Sequence, residues 1–339
     1  MKIIIDAMGG DNAPQQIVAG ALLALDKYSD LKIILTGKKD DILNCINKEY
    51  SPDRLQIVDC SEVIENNEIP TIAIKQKPNS SLVVGFDLLK SNEADAIISA
   101  GSTGAILTCG FLKIGRIKGV SRPALAPLLP TKTGSKVLLI DCGANMDCKS
   151  INLLHFAVMA SCYMHYLFDI KQPKIALLNV GTEEKKGNNL AKESYELLKN
   201  ANINFIGNIE AREITSGICD VVVCDGFDGN RALKATEGAV SLAMNEVKDA
   251  FSGFWGKIGA LFVYKKLKKS KAKLDYNKYG GSPFLGIKKI VIKSHGSSKA
   301  ETILACIKQA KSLYDKNVIT EIENLVKTEI NDEIENCWI

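Results

Sequence analysis

Six short segments combine glycine with small polar or acidic residues in a way that suits anion binding. They are Asp6-Ala7-Met8-Gly9-Gly10-Asp11, Ser99-Ala100-Gly101-Ser102-Thr103-Gly104, Asp141-Cys142-Gly143-Ala144-Asn145, Asn179-Val180-Gly181-Thr182-Glu183, Asp225-Gly226-Phe227-Asp228-Gly229-Asn230 and Ser294-His295-Gly296-Ser297-Ser298. Glycine admits positive φ and lets a ligand approach the backbone closely. A helix starting just after such a loop aims unpaired N–H groups at the same place. The candidate phosphate ligands are Gly9, Gly10, Gly101, Ser102, Thr103, Gly104, Asn179, Gly181, Gly226, Gly229 and Ser297, with Lys185 and Lys186 as the nearby cations. The Asn230 amide can donate to a developing oxyanion or serve only as a helix N-cap. His295 can bind an anion or deliver a proton to a leaving group, or be a structural hydrogen-bonding residue. Asp6, Asp141 and Asp225 support the site by orienting loops or capping helices. Glu183 is either an acid/base or a partner for a lysine.

The elements that must position these groups alternate along the chain. Apolar runs of strand length lie at 2–6, 31–36, 95–99, 137–141, 175–179, 221–225 and 290–293. Stretches of helical length lie between them, at 14–27, 80–90, 152–168, 188–200, 230–250 and 297–313. Strands alternating with helices predict an α/β fold with a doubly wound, mostly parallel sheet in α/β/α layers. In such a sheet ligands bind outside the carboxyl ends of the strands, where all six loops fall. No internal repeat or low-complexity linker divides the chain, so one α/β domain is expected over residues 1–339.

Several functions are disfavoured. There is no G-x-x-x-x-G-K-[ST] and no G-x-G-x-x-G after the first strand, against a P-loop hydrolase or a dinucleotide enzyme. A net charge of +4 over 339 residues gives no reason to expect nucleic acid. The ten cysteines include no C-x-x-C pair, and the three histidines lack zinc-ligand spacing to them. Free thiols, no metal and no organic cofactor are expected. The apolar start, Met1 to Ile5, is too short for a signal peptide, and no apolar run reaches transmembrane length. A cytoplasmic protein is expected.

The loops sit within a longer collinear pattern. It includes Asp6-Ala7-Met8-Gly9-Gly10-Asp11-Asn12-Ala13-Pro14, Gly115-Arg116-Ile117-Lys118-Gly119, Arg122-Pro123-Ala124-Leu125-Ala126-Pro127 and Leu178-Asn179-Val180-Gly181-Thr182-Glu183. It continues through Lys185-Lys186-Gly187-Asn188, Asn204-Phe205-Ile206-Gly207-Asn208, Tyr279-Gly280-Gly281 and His295-Gly296-Ser297-Ser298. With these residues the chain resembles the bacterial acyl-acyl-carrier-protein:phosphate acyltransferases of phospholipid synthesis (the PlsX family) from residue 1 to about 314. It departs from that pattern at Ser102, Asp228 and Ser294.

The resemblance implies a fold similar to that of phosphotransacetylases, a homodimer and no cofactor. It implies that inorganic phosphate attacks the thioester of a long-chain acyl-acyl-carrier protein. The acyl phosphate would pass to a membrane glycerol-3-phosphate acyltransferase. It points to Lys185 first for phosphate, with Asn230 and His295 completing the catalytic set. An acyl-coenzyme A donor, a non-catalytic membrane recruitment protein and, more distantly, a dehydrogenase are the alternatives.

Residues 247–275 form an amphipathic basic segment, expected as a helical excursion within the domain. Phe254, Trp255, Ile258, Leu261 and Phe262 recur at helical spacing, with Lys265, Lys266, Lys268 and Lys269 following them. Large aromatics beside lysines suit an interfacial helix on anionic lipid, a docking face for an acidic carrier protein, or a core or dimer helix. Peripheral membrane association is the expectation that fits a greasy product.

Overall fold

A computed structural model describes residues 1–253 and 279–329, with the isolated positions 259, 263 and 266. The chain begins β1 (Lys2–Asp6), α1 (Gln15–Lys27), β2 (Lys32–Gly37), α2 (Lys39–Leu43), β3 (Leu55–Asp59), α3 (Pro70–Gln76), α4 (Ser81–Lys90), β4 (Ala96–Ser99) and α5 (Thr103–Cys109). It continues through β5 (Ala124–Leu125), β6 (Leu128–Pro130), β7 (Lys136–Ile140), α6 (Ser150–Phe168), β8 (Ile175–Asn179), α7 (Asn189–Asn200), β9 (Phe205–Glu210), β10 (Val221–Val223) and α8 (Gly226–Ala250). The last described elements are β11 (Ser282–Leu285), β12 (Ile290–Lys293), α9 (Ala300–Asp315) and α10 (Val318–Glu329).

The α/β layering agrees with the expectation, but the strands form two sheets. One has the order β3-β2-β1-β4-β12-β11-β5 and the other β6-β7-β10-β8-β9. All pairings are parallel except those of β11 with β12 and β5, and of β6 with β7. The chain crosses between sheets at Ala126-Pro127. Ala126 N donates to Pro283 O at 3.0 Å in the first sheet, and Leu139 N donates to Pro127 O at 3.0 Å in the second. Proline has no N–H to continue a ladder, so this is a place where one sheet can stop.

Both faces of the parallel strands are covered, which is why they read as unbroken apolar runs. Ile3 and Ile5 of β1 point into one core cluster with α1, α6 and α9, while Ile4 points into a second with α4 and α5. In α1, Ile17, Val18, Ala21, Leu22, Ala24 and Leu25 are buried at helical spacing. Gly20 lets α1 close on α9: a Cβ there would stand 2.6 Å from Ala300 O.

Among the described residues α6 alone has the length and composition to cross a membrane, with a mean hydropathy of 1.2 over its most apolar window. Most of it is buried within the protein, and it packs against α7 and α10, as a core helix does. The long helix α8 begins at Gly226, four residues earlier than the expected start at 230. Ala232 and Leu233 lie against the core, while Leu242 and Val247 further along are exposed. Of the nine residues expected to contact membrane or carrier, Lys266 is described and exposed. Phe254, Trp255, Ile258, Leu261, Phe262, Lys265, Lys268 and Lys269 lie outside the described residues.

Candidate active site

The ends of β1, β4 and β12 are tied into one unit. Asp6, buried at the end of β1, accepts from Ser99 Oγ at 2.6 Å, and Ser99 Oγ accepts from Gly101 N at 3.0 Å. Burial raises the Asp6 carboxyl above its usual range, while hydrogen bonds from Ser81 and Ser99 act in the other direction. Gly9 has no room for a side chain, since a Cβ would lie 2.7 Å from Asp6 Oδ2 and 2.8 Å from Gly101 N. Asp11 N donates to Gly296 O at 2.8 Å, and Asn12 Nδ2 to Ser297 O at 3.1 Å and Ser298 O at 3.2 Å. These bonds bring Gly9, Gly10, Gly101, Ser297 and His295 to one end of the first sheet. Ser102 stands at the N-cap position of α5, followed by Thr103 and Gly104.

The second sheet contributes β7 and β10. Asp141 is fully buried and accepts from Leu125 N at 2.8 Å, Asn145 N at 2.6 Å and Asn145 Nδ2 at 3.0 Å. Burial pushes its carboxyl up to about 6 against those bonds, so it stays mostly ionised at neutral pH. The bond to Leu125 joins β5 of one sheet to β7 of the other. Asp225 caps α8 by accepting from Asp228 N at 2.8 Å. Burial raises the Asp225 carboxyl above its ordinary value. Asn230 is therefore not the cap. It lies in the helix, with its amide beside Gly143.

Helix α8 separates two recesses. Asn230, Leu233, Lys234 and Glu237 share one face, since residues three and four apart in a helix are neighbours. That face lines a partly open cavity of about 110 Å³ with Thr103, Lys293 and His295. Leu125, Leu128 and Leu129 form its apolar wall. Asp228, Arg231 and Ala235 on another face line an open cleft of about 650 Å³ with Asn179 and Asp225. Five of the six loops thus line two recesses, the Asp6–Asp11 loop lining neither, and Thr103, Asn230 and His295 are brought together in the first.

His295 Nδ1 accepts from Ser297 N at 3.2 Å and contacts Ser297 Oγ at 2.8 Å. A backbone N–H only donates, so the imidazole proton sits on Nε2 in the neutral ring. Burial, then the charge of Lys234, lowers the His295 pKa and keeps the ring neutral near pH 7.

The β8–α7 loop stands apart. Asn179 Nδ2 donates to Lys186 O at 3.1 Å and closes this loop. Lys186 Nζ lies 3.8 Å from Glu183 Oε1, and both side chains are exposed. Gly181 lies beside Glu183 and Lys186. Lys185 is exposed and lines neither recess.

Three charged residues of the cavity were not singled out on sequence: Lys234, Glu237 and Lys293. The first two follow Asn230 at helical spacing on a helix that starts earlier than expected. Lys293 was legible as a lysine ending an otherwise apolar strand just before Ser294-His295.

This architecture, two mostly parallel sheets flanked by helices, is that of the phosphotransacetylases. The phosphotransacetylase of Streptococcus pyogenes superposes with a TM-score of 0.60 at 20% identity, covering 93% of this chain and 94% of that one. The chain belongs to the family described as fatty acid synthesis protein, whose model matches residues 1–321. It is 50% identical over 335 residues to a phosphate acyltransferase of Caldanaerobacter subterraneus subsp. tengcongensis, covering 98% of this chain and 99% of that protein. It is 49% identical over 337 residues to one from Alkaliphilus oremlandii, covering 99% and 100%.

Proposed function

We propose that this protein is a phosphate acyltransferase that moves a long-chain acyl group from acyl-acyl-carrier protein to inorganic phosphate, for phospholipid synthesis. The observation that carries the reading is the near full-length identity of about half to phosphate acyltransferases. A phosphate oxygen attacks the thioester carbonyl carbon, the C–S bond breaks, and the carrier's thiolate takes up a proton. Phosphate is anionic near neutral pH and needs positioning more than deprotonation, so holding the two reactants together supplies much of the rate.

Asn230 is the donor to the carbonyl oxygen as it gains charge. Removing one such donor costs about 10²–10³-fold in kcat. The neutral His295 donates through Nε2 to phosphate or to the departing sulfur. The apolar wall of Leu125, Leu128 and Leu129 beside these groups suits the start of an acyl chain. Lys185 is the cation the family resemblance assigns to phosphate. It lies on a different loop from the cavity, so its variant and that of Asn230 test two halves of the reading.

In this reading the enzyme works as a homodimer in the cytoplasm. Its basic segment at 247–275 meets anionic membrane, where a glycerol-3-phosphate acyltransferase takes up the product. The exposed Leu242 and Val247 of α8 are consistent with a further covering surface.

The test is incubation of purified protein with palmitoyl-acyl-carrier protein and phosphate, with acyl phosphate trapped by hydroxylamine. Phosphate-dependent product, reduced at least 100-fold in Asn230→Ala and Lys185→Ala, supports activity and site together. Product only from palmitoyl-coenzyme A would move the donor to coenzyme A. Folded protein inactive with both donors would overturn the reading in favour of recruitment.

A further inference from the structure

The cavity between Asn230 and His295 contains a cation with no ion-pair partner among the described residues, although the Asp11 and Glu237 carboxylates act on it from further away. Lys293 closes β12, and its side chain is partly buried along the cavity wall. Its ammonium donates to Ser294 O at 3.1 Å and meets no carboxylate within ion-pair distance among the described residues. The other cation there, Lys234, is already paired with Glu237 at 2.7 Å. An ammonium carries three donors, of which Lys293 uses one. Enclosing an unpaired charge is unfavourable unless an opposite charge completes it.

The surroundings select the missing group. Thr103 and His295 Nε2–H supply further donors to the same space, and Glu237, held by Lys234, is the one acidic side chain on its described walls. The volume of about 110 Å³ compares with an engineered cavity of about 150 Å³ that benzene fills. A small anion fits.

We propose that Lys293 holds the attacking inorganic phosphate, in an assignment that rests on the phosphate acyltransferase reading. Burial and then the charge of Lys234 lower the Lys293 pKa from its ordinary value, and a bound phosphate favours the charged ammonium, which acts as a fixed charge. It orients one phosphate oxygen toward the carbonyl carbon whose oxygen Asn230 receives. Lys185, exposed on the β8–α7 loop, lines neither recess and acts on the reactants from outside this cavity, so the two lysines contribute separately.

Two measurements test this. In the unmodified protein, saturating phosphate is expected to slow acetic anhydride labelling of Lys293 at least fivefold, read by peptide mass spectrometry. Labelling of the exposed Lys288 should not change. In Lys293→Met, the phosphate KM is expected to rise at least tenfold, and the phosphate-induced rise in Tm should disappear. Its Tm without phosphate should not fall, since an unpaired, partly buried charge has been removed.

Unprotected Lys293 in saturating phosphate, or a Lys293→Met enzyme with unchanged phosphate KM, would overturn the assignment. Should Lys293→Met fail to fold, the labelling of the unmodified protein decides alone. Protection of Lys293 in a protein that makes no acyl phosphate would support the anion site and sink the activity. Acyl phosphate formation with an unaltered KM in Lys293→Met would sink this assignment and leave the activity standing.

Discussion

Asn230 of α8 rests against Gly143 in the loop after β7: a Cβ on Gly143 would lie 3.5 Å from the Asn230 side-chain carbonyl carbon. The contact joins two strand ends of the second sheet and leaves Asn230 facing His295 across the cavity. Gly143 also has φ +104°, which L side chains rarely adopt. Gly143→Ala is expected to cost about 1–2 kcal/mol of stability through backbone strain. The methyl group itself would make only ordinary contact with Asn230, but relief of the backbone strain would shift the loop against which Asn230 rests, so acyl phosphate formation should fall about tenfold or more. Urea denaturation and kcat read the two effects, and an unchanged kcat would show that Asn230 is not set by this contact.

Two glycines of α8 should respond in opposite directions. A Cβ on Gly229 would stand 1.9 Å from Asp141 O, a backbone atom that cannot turn aside, whereas one on Gly238 meets nothing within 4 Å. Gly229→Ala is expected to lose more than about 2 kcal/mol by overpacking. Gly238→Ala, in a helix interior, should gain about 0.5–1 kcal/mol. Thermal melts of the two variants check this. Equal effects would mean that α8 is not seated on Asp141 in this way.

Asp141→Asn tests the bond between the sheets. The carboxylate accepts from Leu125 N, Ala144 N, Asn145 N and Asn145 Nδ2. An amide NH₂ in its place faces at least one of those donors and leaves both unsatisfied. The expected loss is about 2–3 kcal/mol, measured by chemical denaturation at pH 7. A change below about 0.5 kcal/mol would show that the carboxylate is replaceable.

His155 on α6 predicts a pH dependence. It is fully buried, accepts from Ser121 N at 3.1 Å through Nδ1, and has no hydrogen-bond partner at Nε2 among the described residues. Burial lowers its pKa to about 4. The unfolded chain takes up this proton near pH 6.5, so between pH 6.5 and 4 the unfolded state binds more protons than the folded one. Stability from this group is fully present above pH 6.5 and is lost as pH falls through that window, by about 2 kcal/mol at pH 5. Asp141 titrates with the opposite sign in the same range, so the comparison must be between the native protein and His155→Gln. The native protein should lose more stability from pH 7 to pH 5, and parallel curves would refute the argument.

Most of the parallel strands and the longer helices were legible in the sequence. The runs at 2–6, 175–179 and 290–293 coincide with β1, β8 and β12, because strands buried on both faces are uniformly apolar. The strands that escaped were β3, β5, β6, β9 and β11. Each of β5 and β6 has two or three residues, too short for periodicity to register. Those two strands carry the passage from one sheet to the other, so the second sheet was hidden with them. The start of α8 was missed because Gly226 and Gly229 read as a turn. Their tight approach to Asn145 O and Asp141 O is the tertiary contact that makes glycine suit a helix there.

The sequence by itself determined the α/β class, the family and the six polar loops at strand ends, because these follow from local pattern and collinear motifs. Which loops share a cavity was decided only by the tertiary structure. The face of α8 that carries Asn230 turns toward His295, while the Asn179 loop opens on the other side. The unpaired state of Lys293 was decided there too. A charge is compensated or not according to what folds around it, and the residues around Lys293 come from strands and helices far apart in the chain.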